Sequence, residues 1–193
     1  MSVWVWAFAN HKIDFDKFEN TITLTDAIIH KLNKLCLSDN LEVCQRFKCN
    51  KGELWLYGGY DEDKDWPLTL RFGLGNYDLD VSENFIQLNA SVFPYTHWFA
   101  PRNDVEREEI SFWFDAIHSI VRGLGGDIIE YFPDNMLEPC SLMPDEVEDY
   151  KHLTMSKHLE IVEKQWPNIC YSYEDAVRCW PTADDAPLLI ERL

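Results

Sequence analysis

The sequence predicts an α+β fold: a mostly antiparallel sheet of about five to six strands packed with three to four helices. Three observations carry this. Residues 68–74 and 86–92 alternate apolar and polar side chains with period two. Residues 104–124 repeat apolar side chains every three to four positions, and residues 3–8 are apolar on both alternating sides. No internal repeat or flexible linker interrupts the 193 residues, so one domain over 1–193 is expected, with 133–193 as a helical C-terminal extension packed on it.

Val3 to Phe8 reads as a central strand, because both of its sides are apolar. Asp14, Asp16 and Glu19 follow in a loop, and Ile28, Ile29, Leu32, Leu35 and Cys36 place a helix over about 25–36, with Thr23 and Asp26 as a capping box. Leu41, Val43, Phe47 and Cys49 alternate with polar residues, and Asn50-Lys51-Gly52 turns that strand into Glu53–Tyr57 as a hairpin. Strands at Leu68–Leu74 and Ile86–Val92 come next, the acidic segments 61–65 and 77–84 serving as connecting loops. Their alternation predicts one covered and one wetter sheet face. Asp104–Leu124 is the clearest helix, with Asn103 and Glu106 as its capping box and Gly125-Gly126 as its stop. Asp127–Phe132 reads as a strand and Pro133–Pro144 as an exposed loop. Met155, Leu159, Val162 and Trp166 define a later helix stopped by Pro167, and Ser172 with Asp175 caps a short last one ended by Pro181.

Charge is the dominant compositional feature. There are 34 Asp and Glu against 17 Lys and Arg, a formal net charge of −17. A disordered acidic tail is excluded, since 14% of the residues are aromatic, eight of them Trp, and the chain is long enough to bury a core. Direct nucleic-acid binding and anionic membrane surfaces are disfavoured, because both need Lys and Arg against phosphate. A basic protein partner is favoured instead; the bland reading of the same charge is solubility. Residues 1–96 carry 9 basic and 14 acidic residues, whereas 97–193 carry 8 and 20. From Gly123 to Tyr150, 28 residues hold eight carboxylates and no Lys or Arg.

Six cysteines at 36, 44, 49, 140, 170 and 179 form no C-x-x-C pair, so zinc-ribbon and thioredoxin spacing is missing and reduced thiols are expected. The N-terminal apolar run has no basic flank and ends at Asn10-His11-Lys12, unlike a secretory signal. No stretch of 18 apolar residues occurs, and a cytoplasmic protein is expected.

The chemistry-bearing constellations each have a bland counterpart. Asp61-Glu62-Asp63-Lys64-Asp65 spaces oxygens like a calcium loop, but Trp66 stands where the loop needs Gly and Phe72 where it needs Glu, leaving a solvated acidic loop. Asp115 and His118 lie one helical turn apart with Arg122 nearby, two ligands at most for a metal and otherwise a surface cluster. His97 beside Trp98 could serve a distant Cys or Asp, a coincidence that six His and six Cys readily allow. His152 and His158 share no helix face. No nucleophile elbow, phosphate loop or dinucleotide fingerprint is present. Trp113 and Trp166 fall on apolar helix faces and read as core, whereas Trp66, Trp98 and Trp180 sit beside Pro or loop residues and read as exposed anchors.

Taken over the whole chain, the charge of −17, the acid-only stretch Asp127–Asp149, the strands Leu68–Leu74 and Phe85–Phe93 before a Trp-bearing helix, and the missing catalytic signatures resemble the bacterial immunity proteins that neutralise a cognate antibacterial toxin. The resemblance implies a non-enzymatic inhibitor without cofactor or metal. It would be a monomer or homodimer that binds a basic toxin, nucleases included, and contacts neither nucleic acid nor membrane. Expected partner-binding residues are Asp61, Asp63, Asp65 and Trp66, with Asp127, Glu130, Asp134, Glu138, Asp145, Glu146, Glu148 and Asp149. The alternatives are a small metal-dependent or acid–base hydrolase built on Asp115 and His118, an acidic nucleic-acid mimic that inhibits a DNA-binding protein, and a scaffold component of a larger assembly.

Overall fold

A computed structural model describes residues 5–19, 23–24, 27–28, 30–31, 68–72, 77–81, 84–90, 95–133, 153–179 and 187–193. Their strands are β1 (Val5–Ala9), β2 (Leu68–Phe72), β3 (Tyr77–Val81), β4 (Ile86–Ala90), β5 (Ile128–Pro133), β6 (Ile169–Cys170) and β7 (Leu188–Arg192). The helices are α1 (Tyr95–Phe99), α2 (Asp104–Gly123), α3 (Met155–Gln165) and α4 (Tyr173–Cys179), with a single 3-10 turn at Phe15–Lys17. Residues 23–24, 27–28 and 30–31 are also helical, and Asp26, the other half of the expected capping box, lies outside the described residues. The expected hairpin over 41–57 and the loop 61–65 lie outside the described residues.

The fold is α+β. One seven-stranded sheet runs in the order β2-β3-β4-β1-β5-β7-β6, antiparallel throughout except for β6 beside β7. β1 lies between β4 and β5, as its two apolar sides require. Helices cover both faces. Val5, Ala7, Ala9, Ile129, Tyr131 and Leu189 point into a core with Trp98, Phe99, Ile110, Phe114, Ile117 and Val121 of α1 and α2. Phe8, Phe132, Leu188 and Ile190 point the opposite way, against Met155, Leu159 and Val162 of α3. β1 is therefore covered on both sides, as its sequence predicts, whereas β4, whose alternation puts Gln87 on a wetter face, is buried through Ile86, Gln87 and Leu88.

Three further expectations change. Residues 77–81 are strand and not loop: Tyr77, Leu79 and Val81 alternate with Asp78 and Asp80, and β3 pairs with both β2 and β4. Residues 153–193 are no purely helical extension, because β7 inserts between β5 and β6 and extends the sheet. Trp98 is 0% exposed and packs edge-on against Phe114 at 5.1 Å, so it is core and not an anchor. Trp166 is buried as expected; Trp66 and Trp180 are outside the described residues.

Local chemistry fixes the joints. Asn103 Oδ1 accepts from Glu106 N–H at 2.9 Å at the start of α2. At its end, Gly126 N–H donates to Val121 O and Gly125 N–H to Arg122 O, with Gly125 at φ +86, a Schellman closure. Asn10 then ties the end of β1 to this turn: its Oδ1 accepts from Asp127 and Ile128 N–H, and its Nδ2 donates to Asp127 Oδ1 at 2.7 Å.

Candidate functional site

The described residues assemble two carboxylate–histidine centres on opposite faces of the same sheet. They begin at adjacent positions of β5, Glu130 and Tyr131, whose side chains point to opposite faces.

The first centre is half-buried. Tyr131 of β5, Glu191 of β7 and His118 of α2 converge on the first sheet face. His118 Nε2 lies 2.7 Å from Glu191 Oε2, and the Tyr131 hydroxyl donates to the same oxygen at 3.1 Å. Because a carboxylate only accepts, the imidazole donates from Nε2, and its other ring nitrogen, Nδ1, takes no part in this bond. Burial, followed by the nearby Glu191 charge, pushes the Tyr131 phenol well above its usual range, so it stays a donor. Phe114 contacts both Tyr131 and His118 and forms the apolar wall. The helical pairing expected of His118 is corrected: Asp115 is exposed, and the carboxylate on His118 comes from β7. Chemically, this is a histidine oriented by an acid that is itself anchored by a phenol, the arrangement of a general base.

The second centre is sealed. The strand register aligns Gln87, Phe8, Glu130 and Ile190 as a row across β4, β1, β5 and β7 on the second face. His158 of α3 covers this row with Nδ1 2.6 Å from Glu130 Oε2, the two side chains being 0% and 1% exposed. Phe85 and Phe132 flank the imidazole. Desolvation raises the Glu130 carboxyl above its usual range, and the His158 contact opposes that rise. Glu130 Oε1 and Gln87 Oε1 have no hydrogen-bond partner among the described residues. A pair without access to solvent holds elements together; it does not meet a substrate.

A third cluster caps α2. Arg102 donates to Glu106 from its side chain and from its backbone N–H, the latter at 2.7 Å, and these bonds hold the Glu106 carboxyl below its usual range. His97 Nδ1 is 3.9 Å from the same carboxylate. Asn103 caps α2 as its spacing predicts, but the returning carboxylate of Glu106 accepts from Arg102 N–H, one residue before the N-cap.

Of the twelve residues expected to bind a partner, two are described. Asp127 is exposed at the α2–β5 turn, as a docking carboxylate must be. Glu130 is corrected: it faces His158 inside the molecule and contributes no surface charge. Asp61, Asp63, Asp65, Trp66, Asp134, Glu138, Asp145, Glu146, Glu148 and Asp149 lie outside the described residues. Among the described residues, no group of three His, Cys, Asp or Glu side chains is placed to hold a metal ion, and no helix is long and apolar enough to cross a membrane.

Sequence reasoning passed over Glu191, Tyr131 and the interior role of Glu130. The signal for Glu130 was present: a lone acid inside Ile128-Ile129-Glu130-Tyr131-Phe132 is flanked on both sides by strand-forming apolar residues. Glu191 follows a similar apolar run, Leu188–Ile190, but its partnership with α2 depends on a pairing 73 residues apart. Comparison with protein-family models, curated proteins and solved structures finds no match to this chain.

Proposed function

We propose that this protein is a stoichiometric inhibitor of the immunity type, binding a basic protein toxin through a carboxylate surface and blocking it. The observation that carries the reading is the acid-only window from Gly123 to Tyr150, eight carboxylates in 28 residues with no Lys or Arg. With Glu130 assigned to the interior, Asp127, Asp134, Glu138, Asp145, Glu146, Glu148 and Asp149 are its docking charges. Such a surface raises the association rate with a basic partner and disfavours wrong ones, while desolvated contacts set the lifetime. If the toxin is a nuclease, the carboxylates occupy or screen the positions that phosphates take.

The test is affinity capture from the native source, with low- and high-salt washes and the retained protein identified by mass, followed by reconstitution from purified components. A basic toxin domain held at 1:1 and inhibited at that ratio is the expected result. Reversing Asp145, Glu146, Glu148 and Asp149 to Lys should slow association about tenfold or more at low salt and flatten its salt dependence. Unchanged inhibition and salt dependence would reject this surface. Capture of a DNA-binding protein would instead identify a nucleic-acid mimic.

One observation favours a second reading, a small acid–base enzyme: the Tyr131–Glu191–His118 relay, with His118 about a quarter exposed at 23%. A hydrolytic activity lost in His118→Asn and in Glu191→Gln, while the inhibitory interaction is absent, would select it.

A further inference from the structure

The second face of the sheet gathers polar atoms that the described residues leave unmatched. Glu130 Oε1, Gln87 Oε1 and the Trp6 indole Nε1 are all buried without a hydrogen-bond partner among those residues. Gln87 is 4% exposed and Glu130 1%. These atoms are not scattered. The register puts Gln87 and Glu130 in one row, on either side of Phe8. Trp6 stands on the same face two residues along β1 and stacks on Phe8, with ring centroids 6.4 Å apart. Phe8 meets Phe132 edge-on at 5.8 Å, and Phe132 lies 6.0 Å from His158, so the group closes under α3.

The chemistry of the three atoms defines what completes them. The other Glu130 oxygen, Oε2, lies against His158 Nδ1 at 2.6 Å, which leaves Oε1 to be satisfied from elsewhere. Glu130 Oε1 and Gln87 Oε1 are both acceptors and cannot bond to each other, and the strands that bear them stand roughly 10 Å apart with β1 between. Met155, Leu159 and Val162, which α3 packs over this face, hold no donor. A buried oxygen left bare forfeits the hydrogen bond it has in water, so the fold gains by supplying one. The completing group has to donate to two oxygens and accept from one indole N–H. A cation suits the oxygens but cannot accept from the indole. Water does both, and buried waters typically make about three such bonds to polar groups of this kind.

We propose that the sheet and α3 enclose an internal water site, in which ordered water donates to Glu130 Oε1 and Gln87 Oε1 and accepts from the Trp6 indole N–H. The water is then part of the contact that seats α3 on the sheet, and it lets a carboxyl group occupy the row with His158 as its one close side-chain partner. The site is separate from the carboxylate docking surface and does not depend on it. A Gln87 amide turned the other way would present Nε2 in place of Oε1 and donate towards Glu130 without water, which the experiment distinguishes.

The experiment uses the full chain in solution. Oxygen-17 relaxation dispersion counts waters held inside a protein and is blind to side-chain protons that exchange with solvent. Nuclear Overhauser contacts from water to the carbon-bound ring protons of Phe8 place such a water in the row. The wild type should show that contact together with at least one long-lived water. Gln87→Leu, which removes an acceptor at similar volume, should lower the count by one or more and remove the Phe8 contact. A wild type without the Phe8 contact would overturn the proposal whether or not the variant folds. A count unchanged by Gln87→Leu would also overturn it, as would a coupling across a direct hydrogen bond from the Gln87 amide to the Glu130 carboxyl group.

Discussion

A carboxyl group at position 130 is shut away from water because the β5 register points it at α3, and His158 is what makes that position tolerable. Removing one partner of a buried pair strands the other, at a cost of about 3–5 kcal/mol, whereas replacing both with apolar groups is close to neutral. Glu130→Ala and His158→Ala should each destabilise by that amount in urea unfolding, and Glu130→Leu with His158→Leu should recover most of the loss. The pH dependence has a definite sign. Burial raises the Glu130 carboxyl, so the folded state holds the proton more tightly than the unfolded chain. The stability this group contributes is complete below the unfolded carboxylate value and is lost as pH rises through the folded one. Glu130→Gln, which cannot ionise, should therefore gain on the wild type as pH rises above the ordinary carboxylate range; a gap that narrows with rising pH would contradict the assignment. Glycine at 126 is constrained by sterics alone. A Cβ there would sit 2.0 Å from Asn10 O, a backbone atom that Asn10 side-chain bonds hold in place. Gly126→Ala should cost about 1–3 kcal/mol, read as a lower urea midpoint at unchanged slope. Gly126 was legible as a helix stop, but the neighbour that forbids a side chain was not, since Asn10 is distant in sequence.

At the scale of elements, the signals that the sequence carried best were local. Asn103 with Glu106 and Ser172 with Asp175 both form the caps their spacing predicts, Ser172 Oγ accepting from Asp175 N–H at 3.2 Å. Asn103→Ala should lower stability by about 0.5–2 kcal/mol, measured by chemical denaturation, through loss of one satisfied N–H at the start of a 20-residue helix. What stayed hidden depended on pairing between distant segments. β3 was concealed because Asp78 and Asp80 suggest a loop, although a strand inside a sheet tolerates acids on alternate positions. β7 was concealed because Leu188–Arg192 is short and follows a Pro-bearing segment; only its place between β5 and β6 makes it necessary. Truncation before Pro187 removes an interior strand and the partners of Tyr131 and His118 together. The shortened chain should lose cooperative unfolding altogether, as followed by near-ultraviolet circular dichroism, and should not behave like a trimmed tail.

Across the molecule, the charge of −17 acts on the free protein and, under the proposed inhibitor reading, would act on a complex with opposite sign. In the free protein, like charges on a compact surface repel, and exposed acids lie on every longer helix: Asp104, Glu108 and Asp115 on α2, Glu160 and Glu163 on α3, Glu174 and Asp175 on α4. Salt screens that repulsion, since the Debye length falls from roughly 30 Å at 0.01 M to about 8 Å at 0.15 M. Thermal unfolding of the isolated chain should therefore shift upward as sodium chloride is raised over this range. Binding to a basic partner should respond the other way: screening weakens the attraction that steers the encounter, so the association rate should fall by an order of magnitude or so while dissociation changes little. Measuring both on one preparation separates the two uses of the charge. A solubility role alone yields the thermal shift without salt-sensitive binding. The inhibitor reading requires both, with the lysine reversals at 145, 146, 148 and 149 reducing each response, because they remove the same local field that repels within the chain and attracts across the interface.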